Sequence, residues 1–299
     1  MSEGGPSRQF EELKQQILDE AERLGLDDRF SFSCHPGVSC FNQCCGDVNI
    51  VLTPYDVLRL KRRLGLGSTE FLGRYTVKPF TKEQKLPVVL LKMDDSRPNK
   101  PCQLVTQKGC SVYEDRPWPC RMYPVGSASA RTESDPNAPE FFFLMQEEPC
   151  EGFKQARRGL IPERPEGARG TACDWSIREW IDDQGIGEYN SWGDEFKEIT
   201  LHPRLRQMEL SPHQMEMFYT ACYDLDRFRV FVFESSLLAK YEVEPEVVEA
   251  TRDDDEELLR FAFRWLRTCI LGEQTVRLRN ETVEQYRERL AAQGLKVKD

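Results

Sequence analysis

The sequence contains no Cys-x2-Cys pair, although 11 of its 299 residues are cysteine. That counts against an ordinary zinc ribbon, in which a tight turn between two close cysteines converges both sulfurs on one ion. No Gly-x-Gly-x-x-Gly and no P-loop pattern is present to cradle a nucleotide. No run approaches 18 apolar residues, so no membrane span is expected. The opening stretch MSEGGPSRQFEELKQQ lacks the charged-then-apolar segment of a secretion signal. Internal repeats and low-complexity tracts are missing as well.

A formal charge of -10 and a pI near 5.1 disfavour generic binding to nucleic acid or to an anionic membrane, since a polyanion meets net repulsion. Two basic patches, LKRRLG at 60–65 and KQARRGLIPERPEGARG at 154–170, read as a solvated helix face and a mobile loop. Apolar residues make up 39% of the chain, enough to bury a core without covalent staples. A soluble protein kept in a reducing cytoplasm is therefore expected. Cysteines there serve more often as metal ligands or redox groups than as structural disulfides.

Eight cysteines fall in two sets in the first half of the chain. Cys34, Cys40, Cys44 and Cys45 lie in CHPGVSCFNQCCGD, and Cys102, Cys110, Cys120 and Cys150 lie further on. Clustered thiolates repel one another unless a cation neutralises them, and a metal does so while deprotonating the thiol. The adjacent pair Cys44-Cys45 suits a polynuclear centre or two neighbouring sites better than one small tetrahedral ion. An iron–sulfur cluster is accordingly preferred to zinc. The radical-SAM pattern Cys-x3-Cys-x2-Cys fails, because Cys40 and Cys44 supply its first half but position 47 is Asp47. Cys222 and Cys269 read as small buried hydrophobes, and Cys173 is open to either reading. His35 is a candidate extra ligand, His202 and His213 weaker ones. Arg116 and Arg121 suit a carboxylate or phosphate, or else loop carbonyls and the thiolates themselves.

The expected fold class is α+β. Apolar steps from Phe10 to Leu24 mark an opening helix, taken as region 1–31. Region 32–173 is expected to be a loop-rich, metal-organised cysteine domain with short strands at LPVVLLKM (86–93) and EFFFLMQE (140–147). Within it, VNIVLTPYDVLRLKRRLG reads as a strand followed by a helix, with Thr53 as N-cap, Pro54 at its first position and Gly65 at its end. The four prolines of PCQLVTQKGCSVYEDRPWPCRMYPV deny that segment a long helix, so bound metal is its natural organiser. Region 174–299 is expected to be mainly helical and packed on the cysteine domain. One helix begins with Ser211 as N-cap and Gln214 at the capping-box position, and runs through Phe218, Cys222 and Leu225. Another runs along DDDEELLRFAFRWLRTCILG to Gly272. The weakest order is expected at 1–8, 127–139 and 155–171.

CFNQCCGDVNIVLTPYDVLRLKRRLG, then PCQLV and GCSVYEDRPWPCRMYPV, then PCEGF, together resemble the YkgJ-type cysteine-cluster family over about residues 32–153. The first block is more widely spaced than the Cys-x2-Cys-x2-Cys-Cys form common in that family. The resemblance implies zinc or iron chelation by the same eight cysteines: Cys34, Cys40, Cys44, Cys45, Cys102, Cys110, Cys120 and Cys150. It leaves three readings open. The first is an iron–sulfur protein with a structural or redox role and an unknown protein or redox partner. The second is an enzyme, either a metallohydrolase or a cluster-dependent modification enzyme, the latter suggested by a related cysteine cluster in flagellin lysine methylases. The third is a zinc-stabilised interaction module.

Overall fold

A computed structural model of the chain describes residues 21–78, 85–129, 140–146, 150–157 and 174–292. The architecture is α+β, with many helices and short antiparallel strand pairs. It divides into two units, each woven from separated segments. Among the described residues no helix is long and apolar enough to cross a membrane.

The first unit draws on Met1–Val48, Met93–Tyr113 and Trp118–Glu188. Arg29–Ser31 pairs with Asp174–Ser176, setting Phe30 opposite Trp175. Val125–Ser129 pairs with Glu140–Leu144, setting Val125 opposite Leu144. These strands and the short helices Trp118–Met122, Gly152–Arg157 and Ile177–Asp183 enclose one aromatic-rich core. Phe30, Phe32, Met122, Val125, Phe153, Trp175, Ile177, Trp180 and Ile186 form it. Phe32 meets Phe153 and Trp180 edge-on at centroid distances of 5.1 and 5.8 Å. Edge-to-face pairs of this kind add to the gain from area burial alone. Trp180 keeps its Nε1 satisfied by donating to the Met122 carbonyl at 3.0 Å.

The second unit draws on Asn49–Lys92, Glu114–Pro117 and Tyr189–Asp299. Its first helix, Pro54–Leu64, begins where the sequence predicts. Thr53 Oγ1 accepts from the Asp56 N–H, Thr53 N–H donates in return to the Asp56 carboxylate, and Gly65 ends the helix at φ 65°. The helix Asp255–Leu266 packs against it and against Pro212–Cys222, Leu225–Glu234 and Pro245–Asp253. Tyr55 stacks on Trp192 at 4.9 Å. Lys61 departs from the solvated face expected of the 60–65 patch: it is buried, with its ammonium 2.6 Å from Asp255 and 3.8 Å from Asp226.

Other differences have local causes. The helix that opens at Ser211 with its Gln214 capping box stops at Cys222, because Asp224 caps a new one, Leu225–Glu234. The 253–272 stretch divides into the helix Asp255–Leu266 and a π-turn, Arg267–Leu271, closed by Gly272 at φ 71°. The strand expected at 86–93 contracts to Leu90–Leu91, paired with Thr76–Val77. Residues 127–129, expected to be weakly ordered, complete the Val125–Ser129 strand because the Phe-rich strand opposite supplies a partner. Of the expected opening helix, residues 10–20 lie outside the described residues. Leu24 bridges Phe142 through backbone bonds of 2.8 and 2.9 Å. Cys173 and most of the 154–170 patch also lie outside the described residues.

Candidate metal centre

All eight cysteines of the two sets belong to the first unit, and none is in a disulfide. Its apolar core anchors three of the segments that carry them. Phe32 stands two residues before Cys34, Met122 two residues after Cys120 and Phe153 three residues after Cys150, and all three are core side chains. Ser33 N–H donates to the Gly152 carbonyl at 3.1 Å, which joins the Cys34 and Cys150 segments directly. Gly152 is required there, since a Cβ would stand 2.7 Å from the Phe32 ring.

The other segments are joined through backbone. Gly46 bridges Pro101, and Cys102 N–H donates to the Cys45 carbonyl at 2.7 Å. The hairpin Val105–Thr106/Gly109–Cys110 sets Cys110 opposite Val105, and Ser111 N–H closes on the Leu104 carbonyl at 2.9 Å. Asn42 Nδ2 donates to the Thr106 carbonyl at 3.0 Å, tying the first cysteine loop to this hairpin. Cys44 and Cys45 themselves lie in a short 3-10 turn, Gln43–Cys45.

Two sulfurs already accept backbone hydrogen bonds: Cys40 Sγ from Glu151 N–H at 3.2 Å and Cys102 Sγ from Leu104 N–H at 3.4 Å. Donors so placed stabilise thiolate and tune any metal it binds. Cys34 and Cys44 are exposed, and the other six are half-buried. The Cys34 thiol is nonetheless pushed up to about 12, first by desolvation of its sulfur and then by the charges of Cys44, Cys40 and Cys150. Cys45 is raised further, by its thiol hydrogen bond with Cys44, by burial, and by Cys44, Cys120 and Cys102. Burial raises Cys102 and Cys110 adds to it, against the backbone N–H groups of Leu104 and Val105. Metal-free, these thiols hold their protons at neutral pH, and a cation is what would convert them to thiolates.

Among the described residues no three His, Cys, Asp or Glu side chains stand together as a finished ligand set. The donor chemistry, cysteine sulfur, suits iron or zinc. Buried Ser33 Oγ, beside Cys34, has no hydrogen-bond partner among the described residues and is a further donor within the loop.

His35 Nδ1 accepts from Gly37 N–H at 3.1 Å, and His202 Nδ1 caps a helix by accepting from Arg204 N–H at 3.2 Å. Arg121 is buried and donates to the Gln184 carbonyl at 2.6 Å, the loop-carbonyl role. Cys222 is fully buried on its helix, and Cys269 Sγ lies 3.2 Å from the Tyr241 hydroxyl. Sequence reasoning missed Ser33 and the backbone geometry around the cysteines. Asn42, Asp47, Asn99 and Lys100 are the non-glycine residues with positive φ among those described, and all flank Cys44-Cys45 or Cys102. Asn and Asp enter this region more readily than most residues, so their presence in both loops was the available clue. Lys100 gave none.

Comparison with curated proteins and with solved structures yields no match. Residues 33–154 match the CxxCxxCC family model, described as "Putative zinc- or iron-chelating domain", which is the kind of cysteine-cluster family that the motifs resemble. The segment so matched, about two fifths of the chain, holds all eight cysteines of the two sets.

Proposed function

We propose that chelation by this domain is the work of Cys34, Cys40, Cys44, Cys45, Cys102, Cys110, Cys120 and Cys150, and that they hold iron as an iron–sulfur cluster. The observation that carries this reading is the gathering of eight disulfide-free thiols in one unit, two of them with backbone N–H groups already on sulfur. Absence of zinc-type Cys-x2-Cys pairs and the adjacency of Cys44 and Cys45 favour a polynuclear centre. Bound, the cluster would supply cross-linking of the proline-rich loops and an electron-transfer group. Around it, the protein's residues present sulfur, donate hydrogen bonds to it and fix the spacing of the loops. The role is structural or redox, in a reducing compartment, with a protein or redox partner.

Protein purified without oxygen should be coloured and carry iron and acid-labile sulfide. Cys44→Ser or Cys120→Ser should abolish the visible absorbance, because a hydroxyl is a poor replacement for a soft thiolate. Cys222→Ser, on a buried helix face of the second unit, should leave it intact. Colourless protein with stoichiometric zinc and no labile sulfide would replace this reading with the zinc-stabilised interaction module.

A further inference from the structure

We propose that the Ser33 hydroxyl is a hydrogen-bond donor to sulfur at the metal centre, a positioning group that tunes the centre without being one of its ligands. This rests on the proposal that the cysteines bind metal, and goes beyond it by naming a residue that the chelating set does not include.

Ser33 is only 1% exposed, and its Oγ has no hydrogen-bond partner among the described residues. A buried hydroxyl in that position bears its desolvation cost with no compensating bond. Native interiors rarely keep one, so its acceptor is to be sought in something the chain binds. The nearest backbone is already engaged. Ser33 N–H donates to the Gly152 carbonyl at 3.1 Å, and the Phe32 carbonyl accepts from Trp175 Nε1 at 3.3 Å. Phe32 and Phe153, next in the chain to Ser33 and Gly152, are core side chains and offer no acceptor.

Sulfur is what this backbone pairing has at hand. Cys34 follows Ser33 directly, and Cys150 precedes Gly152 by two residues. Glu151 N–H, between Cys150 and Gly152, donates to Cys40 Sγ at 3.2 Å. One donor of the pairing is thus already on a cysteine sulfur, and the Ser33 hydroxyl is a second donor there with its hydrogen uncommitted. That hydrogen turns about the C–O bond to meet whatever acceptor is offered. A protonated thiol is a weak acceptor, whereas a thiolate carries charge and makes the stronger, charge-assisted bond. The bond is therefore made on metal loading. A buried water is the rival acceptor, and the two differ in how loss of the hydroxyl reads with and without metal.

The full chain is prepared metal-free and reduced, then loaded anaerobically with zinc or, separately, with ferrous iron and sulfide. Metal-free, Ser33→Ala should match or exceed wild type in its urea midpoint, since it removes an unsatisfied buried group. Loaded, the order should reverse. Competition with a chromophoric chelator should show zinc held about 10-fold more weakly by Ser33→Ala, the scale on which groups that support metal ligands act. The iron-loaded variant should have a more negative midpoint potential, because a donor to sulfur favours the reduced, more negatively charged centre. Ser33→Thr keeps the hydroxyl and should recover both. Equal loss of stability with and without metal, or unchanged zinc affinity and potential in Ser33→Ala, assigns the hydroxyl to water or to packing and overturns the inference while metal binding stands. If wild type holds zinc but forms no cluster, the iron–sulfur reading fails and zinc affinity alone decides the role of Ser33. A wild-type chain that takes up neither metal overturns the proposed function, and the role of Ser33 with it.

Discussion

At the scale of single residues, the cysteine loops depend on atoms that carry no sulfur. Gly46 sits where a Cβ would come 2.3 Å from the Asn99 carbonyl oxygen, a distance that no rotamer change relieves because the obstacle is backbone. Gly46→Ala must therefore push apart the Gly46–Pro101 bridge, and with it the Cys102-to-Cys45 bond one residue away on each strand. Overpacking of this kind costs on the order of 1–3 kcal/mol. The variant should show a lower denaturant midpoint, and lower metal content at equal loading. Retention of both would mean that the two loops are not held by this contact. The eight sulfurs were legible in the sequence as a chemical inventory. The glycine was not, because its need arises from a carbonyl 53 positions further on.

At the scale of elements, the helix Pro54–Leu64 shows what local sequence can and cannot announce. Its start and stop were legible, since Thr53, Asp56, Pro54 and Gly65 act on their immediate neighbours. Its partner was not, since Lys61 finds Asp255 across 194 positions, and that pairing takes one cation of the basic patch into a largely buried ion pair. Burial alone would raise the Asp255 carboxyl, but Arg229 and Lys61 hydrogen-bond to it and hold it below its ordinary 3.8. A carboxylate depressed in this way contributes stability that is present above its unfolded pKa and is lost as the pH falls. Asp255→Asn leaves Lys61 and Arg229 facing a neutral amide, and breaking a buried pair costs about 3–5 kcal/mol. Asp226, 3.8 Å from Lys61, moves the expectation to the lower end. Urea unfolding should show the full difference between variant and wild type at pH 7, narrowing as the medium is acidified below 3.8. A gap of constant size across that range would assign the loss to packing instead. The same separation explains the strands: Val125–Ser129 is unremarkable as sequence and becomes a strand because Glu140–Leu144 pairs with it.

At the scale of the whole molecule, the C-terminal helices do not make a unit from their own residues. The helices Pro54–Leu64 and Ser68–Tyr75 pack with Asp255–Leu266 and Leu225–Glu234, and Ser68 Oγ donates to Asp224 at 3.0 Å. A fragment of residues 174–299 would therefore lack the helices on which Asp255–Leu266 and Leu225–Glu234 pack, and the Ser68 hydroxyl that donates to Asp224. We expect it to melt without a cooperative transition by circular dichroism, where the full chain gives one. A sharp transition in the fragment would show that the earlier helices are accessory. The α+β class and the helical character of this region were legible from periodicity and caps. The interleaving of two units along one chain was not, because periodicity records which face is apolar and leaves its partner unstated.

That interleaving sets the order of events during synthesis. When Leu64 has left the ribosome, the helix that will cover it is still about 190 residues from being made. At translation rates of roughly 5–20 residues per second the wait is on the order of 10–40 s. Through that interval the nascent chain carries a helix whose apolar face is uncovered, and cysteines that grow in number from four to ten. Its hazards are those of a growing polypeptide: premature capture by a neighbour on the same message, and oxidation before any ion arrives. Slow growth conditions lengthen the exposure, and a holding chaperone at the exit tunnel would shorten its consequences.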